Sequence, residues 1–433
     1  MPLKRVITLK EALAINIGAI IGAGIFTISG LAAGIAGPSV ILAILLGGLV
    51  SILTGLSFAE LSYSTPKEGG NYEYARDYIG KYAGFIAGWV FIASAVVGGA
   101  AVAISFGSYF SSLFGANLNV DAVAAVMIAV LGIVNYFGVK HSARLSLSLT
   151  VIKILILALF IIVGVFFIKP GNYSPFLPTG FGGLITASAF VFFAYTGFAR
   201  VTTIGEEVKD PKRTIPRAII YSILISGIIY ALVVFVLIGI IPYGNLAASQ
   251  SPLQLAIGYA THNPLLVEII SLGALFATLN VDLSMILGVS RVAFAMSRNS
   301  DMPAFMARLN RYGAPDIAIV ASTALMVIII VAISFREIVS LINAAALLSY
   351  SLANIAAVRL ALSGDPKRHM FKSRYFAIVP IAGVLSTLGL LGFLTSASLI
   401  ILVVLIALIT IYYLLAVRPR KGEHRGARTA PTM

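Results

Sequence analysis

The chain has 433 residues, 59% of them hydrophobic and 11% charged, a balance too apolar for a water-soluble protein and one that requires lipid as solvent. Its formal charge of +14 does not describe a nucleic-acid binder, because the basic residues sit in short segments between apolar runs, where they report topology. The sequence contains no cysteine, which excludes disulfides, a thiolate metal site and a cysteine nucleophile; His141, His262, His369 and His424 are scattered over predicted loops and form no metal constellation.

The first ten residues are basic and open directly into a long apolar run, so no cleaved signal peptide is expected. Runs of about 20 or more apolar residues predict an all-α integral membrane protein with twelve transmembrane helices, near 11–35, 39–63, 82–113, 120–139, 143–168, 183–205, 216–241, 264–297, 316–334, 337–361, 375–394 and 397–417. An even number of spans puts both termini on one side. Lysine and arginine crowd the loops of that side, and among loop residues only Lys169 and Arg336 fall opposite. Both termini of this multi-pass protein are therefore expected on the cytoplasmic side of the cell membrane.

Within the first span, Gly18-Ala-Ile-Ile-Gly22-Ala-Gly24-Ile-Phe26 concentrates glycine at mid-depth. Glycine costs roughly 1 kcal/mol against alanine in a helix interior, so the cluster serves either close helix packing or a break in the helix. A second interruption follows in the sixth span, at Phe190-Val-Phe-Phe193-Ala-Tyr195-Thr-Gly197-Phe-Ala-Arg200. The two lie five spans apart. An odd number of spans reverses orientation, so a five-helix unit repeated once runs inverted across the membrane, and matched interruptions in two inverted halves point to the binding site of a secondary transporter. The expected organisation is a first repeat over 1–168, a second over 183–361, two further helices over 375–417 and a basic cytoplasmic tail over 418–433.

Four stretches, in order and each at its expected span, resemble the amino acid/polyamine/organocation superfamily of transporters. They are Gly18 to Phe26; Phe58-Ala-Glu60-Leu to Pro66-Lys-Glu-Gly69-Gly70-Asn-Tyr-Glu-Tyr; Gly205-Glu206-Glu207-Val-Lys-Asp-Pro211 to Pro216-Arg-Ala-Ile; and Ser284-Met-Ile-Leu-Gly-Val-Ser290-Arg291-Val-Ala-Phe-Ala-Met. The chain is most similar to the compact prokaryotic, proton-coupled members. The resemblance implies a five-plus-five inverted repeat with helices 1 and 6 broken, working by alternating access.

The chemistry of the two breaks fits an amino acid. In the first break, where Ile21 and Gly22 also belong to the expected binding site, free N–H groups at Ala23, Gly24 and Ile25 at the positive end of a half-helix suit a carboxylate. Carbonyls around Phe193, Ala194 and Thr196 suit an ammonium. The resemblance assigns these same roles, with Tyr195 and Gly197 completing the second break, Phe193 acting as gate, and Phe193, Tyr195 and Phe198 shaping the side-chain pocket. Relatives often carry an acid just after the Gly-Phe of span six, whereas this chain has Ala199 and Arg200, which argues against a strictly polyamine or cationic substrate.

Charged residues inside spans are functional candidates by default. Lys153 lies about ten residues into span five, a depth of about 15 Å. The resemblance places it where sodium-coupled relatives hold a cation between spans one and eight, with Gly18 and Ser284 as its contacts, so that proton loss from the amine replaces sodium. Asp282 is a second ionisable candidate; residues two apart on a helix differ by about 200°, so Asp282 and Ser284 do not both face Lys153. It could pair with a cation, line an aqueous path or stay protonated. Glu60, Glu206 and Glu207 suit salt bridges or an inner gate.

The reading is a transporter and not an enzyme: proton-coupled symport of neutral amino acids, with amino acid, protons and lipid as partners, no nucleic acid, no cofactor and no metal. A cationic amino acid carrier or an exchanger is the alternative within the class. A polytopic enzyme lacks convergent catalytic groups, and a channel is a poorer match for two opposed breaks.

Overall fold

In the computed structural model the described residues are 3–417, apart from 23, 115–117, 248, 250, 333–334, 364–368, 372–373 and 395. Among them the regular elements are helices, and extended pairing is confined to isolated bridges at Ile7–Val208 and Glu68–Ile204. Lipid explains this preference, since a helix satisfies its backbone polar groups within one segment.

The first apolar run is divided. Helix α1 (Leu9–Ile20) opens where the Thr8 N–H donates to Glu11 Oε2 at 2.7 Å, and the chain leaves helical geometry at Ile21. A π-helical turn, Gly24–Ile28, leads into α2 (Ser29–Ala36). There follow α3 (Val40–Ser64), the short, largely buried helix α4 (Asn71–Tyr78), α5 (Lys81–Phe114), α6 (Val120–Tyr136), α7 (Val139–Gly164) and α8 (Gly180–Tyr195). At Thr196–Thr203 the chain tightens into a 3-10 segment, the second interruption. The second part of the chain contributes α9 (Pro211–Ile240), α10 (Tyr243–Leu246), α11 (Pro252–Thr261), α12 (Pro264–Arg298), α13 (Asp316–Ala332), α14 (Phe335–Ala361), α15 (Ile378–Leu391) and α16 (Ser396–Tyr412). Helices α10 and α11 lie between two of the expected spans, those near 216–241 and 264–297.

Among the described residues seven runs are long and apolar enough to cross a membrane, the first of them, Leu9–Ser64, covering two of the expected spans, and four shorter apolar helices accompany them. Their outward faces carry exposed residues such as Leu45, Leu49, Ile162 and Val403. Small residues sit where helices approach closely: a Cβ on Gly55 would fall 2.4 Å from Ile223, one on Gly273 would fall 2.6 Å from Ile156, and one on Gly132 would fall 2.6 Å from Thr323. The resulting contacts pair α3 with α9, α5 with α12 and α6 with α13, while α1 meets the 3-10 segment, and α15 and α16 flank α14.

Candidate functional site

The two interruptions cross one another. A Cβ on Gly24 would lie 2.7 Å from Ala194 Cβ and 3.0 Å from its Cα, and a Cβ on Gly197 would lie 2.3 Å from the Ala19 carbonyl carbon and 2.4 Å from Ile20 N. Packing and breaking are thus the same use of these glycines: backbone approaches backbone because side chains are missing, and the chain is unwound there. Gly22 faces Val281 of α12, whose Cγ2 is 2.1 Å from the place a Cβ would take. Ile21 and Ile25 are buried. Ala23 and the Phe193 side chain lie outside the described residues.

Helix ends leave carbonyls without ladder partners, and here tyrosines reach them. Tyr230 of α9 places its hydroxyl 2.6 Å from the Ile20 carbonyl and 3.1 Å from that of Ala194, joining the two breaks. Tyr350 of α14 donates to the Thr196 carbonyl. Tyr195 turns away, its hydroxyl 3.2 Å from the Ile44 carbonyl in α3. Asn16 Oδ1 accepts from Val201 N at 2.9 Å, fixing the 3-10 segment to α1. Sequence reasoning missed Tyr230 and Tyr350. A tyrosine inside an otherwise apolar span is the signal that was available, since its hydroxyl needs a partner once buried.

Lys153 projects from α7 to the end of α1 and is fully buried. Its Nζ donates to the Gly18 carbonyl at 2.7 Å and also to that of Ile21. Among the described residues no carboxylate lies within ion-pair reach of it. Ser284 is not among its hydrogen-bond partners; that hydroxyl donates to Val281 O of its own helix at 2.7 Å. The link from α7 to α12 is instead made by Asn280, whose Oδ1 accepts from Ser146 Oγ at 2.8 Å and whose Nδ2 donates to Thr150 Oγ1 at 2.8 Å. Ser146 and Thr150 in turn donate to Ala14 O at 3.2 and 3.1 Å. Gly18 admits this cluster, because a Cβ there would fall 2.7 Å from Asn280 Oδ1. Asp282, also fully buried, points elsewhere: its Oδ1 is 3.3 Å from the Cβ position of Gly99 in α5, and neither carboxylate oxygen has a hydrogen-bond partner among the described residues.

At the end of the bundle that carries residues 65–80 and 204–212, charged side chains lock together. Arg291 is fully buried, with Nη2 3.2 Å from Glu207 Oε1 and Nε 3.7 Å from Glu68 Oε1. Glu206 pairs with Arg298 at 2.8 Å, and Asp301 with Arg76 at 2.5 Å. Burial, then the neighbouring Glu207 charge, push the Glu68 carboxyl well above the usual carboxylate range against the pull of Arg291. Glu60 serves a separate contact, accepting from Met370 N and Phe371 N at 3.1 Å and lying 2.8 Å from His369 Nδ1.

The sequence that folds into these crossed breaks matches a known group of proteins. The family described as Amino acid permease matches residues 11–424. The chain belongs to the amino acid permease family, within the amino acid/polyamine/organocation superfamily. The permease is 31% identical over 408 residues to the branched-chain amino acid permease BcaP of Bacillus subtilis, covering 90% of this chain and 88% of that protein. It is 32% identical over 402 residues to the methylthioribose transporter of the same organism, covering 88% and 86%. Similarity extends to cationic amino acid transporter 1 of Arabidopsis thaliana, at 30% identity over 75% of the permease and 58% of that protein. It is a multi-pass membrane protein of a family of transporters.

Proposed function

We propose that the protein carries amino acids across a bacterial cell membrane by proton-coupled alternating access, with both termini cytoplasmic and Lys153 as the coupling group. The observation that carries this reading is the Lys153 amine, buried without a carboxylate partner among the described residues and bonded to two carbonyls at the break of α1. An isolated buried ammonium is unfavourable, so changes in hydration or protonation translate into a changed preference for this arrangement. With its proton the amine holds α7 to the carbonyls at the break through charge and three donors; without it the charge and one donor are lost, and the tie to α1 weakens.

The substrate's carboxylate is read by the backbone N–H groups from Gly22 to Ile25 and its ammonium by carbonyls at Phe193 to Thr196, with Tyr230 and Tyr350 holding those carbonyls in the absence of ligand. Names of relatives support an amino acid as cargo. The packing supports an inverted five-plus-five repeat of twelve spans: under that assignment α3 and α9 are equivalent helices, as are α5 and α12, and α6 and α13, and each of these packs against its own equivalent. A pseudo-twofold axis through the site would produce this pattern.

The test is uptake of labelled amino acids by reconstituted protein. Under an imposed pH gradient the parent should accumulate substrate, while Lys153→Gln and Lys153→Met should retain counterflow exchange and lose gradient-driven accumulation. Accumulation that still scales with the gradient in either variant removes Lys153 as the coupling group and leaves Asp282 as the next candidate.

A further inference from the structure

Arg200 is a buried cation outside both the Lys153 contacts and the charged cluster around Arg291. It stands in the 3-10 segment after α8 and retains 9% of its exposure. Its Nε and Nη1 have no hydrogen-bond partner among the described residues. The guanidinium carbon lies 5.2 Å over the Phe91 ring of α5. Gly288 of α12 makes room for it, since a Cβ there would fall 2.6 Å from Nη1.

Two cavities meet at this side chain. One, of about 30 Å³, is bounded by Gly22, Gly24 and Ala194 at the crossing of the breaks; the other, of about 40 Å³, extends away from them past Phe91, Ser94 and Tyr350. Arg200, Thr196 and Met285 belong to both, and no Asp or Glu lines either one. Asp282 follows the lining residue Val281 but is turned toward Gly99. A guanidinium keeps its charge at any physiological pH. At this depth an unpaired charge is unfavourable, and the face of one phenylalanine offsets only a fraction of that.

The partner missing from the protein is therefore an anion supplied from outside. We propose that Arg200 is a specificity residue that binds the side-chain carboxylate of an acidic amino acid. The inference rests on the reading above, in which the breaks take the α-carboxylate and the ammonium. With both ends of the amino acid backbone accommodated at Gly24 and Ala194, the substituent on Cα projects into the second cavity, where the planar donor fork matches a carboxylate. The small volume selects a compact side chain. On this proposal the substrate carries a second carboxylate, in place of the neutral side chain expected from the sequence.

The decisive experiment measures binding and uptake of L-aspartate and L-glutamate against their isosteres L-asparagine and L-glutamine, with L-leucine and L-arginine for comparison, in the parent, Arg200→Gln and Arg200→Lys. The parent should favour an acid over its amide by about ten- to a hundredfold, the worth of one charged hydrogen-bonded pair. Arg200→Gln should lose that margin by weakening acid binding and leaving amide binding in place. Arg200→Lys should keep the preference at reduced affinity, and it decides the matter if Arg200→Gln does not fold. A parent that takes an amide, leucine or arginine at least as well as the acids overturns the proposal while amino acid transport stands. So does a preference for acids that survives Arg200→Gln, or an equal loss for every substrate, which would make the residue structural. Failure to bind any amino acid overturns the transport reading and this proposal with it.

Discussion

Tyr230→Phe removes one oxygen atom from the point where the two broken helices meet. The hydroxyl it deletes lies 2.6 Å from the carbonyl of Ile20, the last residue of α1, and 3.1 Å from that of Ala194 in the last turn of α8. One proton serves one acceptor at a time, so the loss is that of a single buried bond, plus the penalty of leaving an off-ladder carbonyl unpaired. That sum is about 1–3 kcal/mol. Tyr195→Phe supplies the control, because the same group is deleted at similar burial, yet its acceptor, the Ile44 carbonyl at 3.2 Å, lies inside α3 where the helix already provides a donor. Its cost should stay below about 1 kcal/mol. Equilibrium unfolding of both variants by denaturant titration in mixed micelles gives the comparison, and substrate affinity should fall only for Tyr230→Phe. Equal costs for the two substitutions would refute the idea that Tyr230 satisfies the break.

Gly197→Ala should prevent recovery of folded protein, because the atoms 2.3 and 2.4 Å from its Cβ are backbone, whereas Gly227→Ala, with nothing nearer than 3.6 Å, should be tolerated; monodisperse yield in detergent separates them. Arg291→Met should cost about 3–5 kcal/mol, the range for breaking a buried ion pair and leaving its partner charges uncompensated, since Glu68 and Glu207 both face it. Glu68 gives a pH dependence: burial, then the neighbouring Glu207 charge, raise its carboxyl against the pull of Arg291, so its contribution is present below the ordinary carboxylate range and is lost as pH rises through the raised value. The unfolding free energy of the parent, taken relative to Glu68→Gln, should accordingly decline as pH increases; a flat or rising difference contradicts the assignment.

The breaks were legible because glycine at mid-span conflicts with helix propensity, and Lys153 because charge conflicts with lipid. Both signals are local. What the chain could not disclose by itself was who answers them. Of the two contacts that the resemblance implied for Lys153, Gly18 does accept from it, but Ile21 stands where Ser284 was expected, and Ser284 bonds within its own helix because side-chain direction on α12 is set by how that helix rotates against α5 and α7. Asn280, two residues from Asp282, links Ser146 and Thr150 for the same reason. Arg200 was visible as a departure from an expected acid, but only the closure of α5 and α12 around it places its guanidinium between two cavities.

The hydrogen bonds at the start of the chain have a mechanical consequence. Val6 N and Ile7 N both donate to the Glu207 carbonyl, at 2.9 and 3.0 Å, and Lys209 N donates back to Ile7 O at 2.8 Å. Ile7 is two residues from the first turn of α1, so this stitch fastens the helix directly to the segment whose Glu207 side chain grips Arg291. Any rocking of α1 would pass through residue 7 as through a crank, with Glu207 at its far end. If the proposed cycle releases Lys153 near the break, the same stitch would carry that movement to the Glu207–Arg291 pair at the bundle's end, and a rigid fusion at the amino terminus would load it.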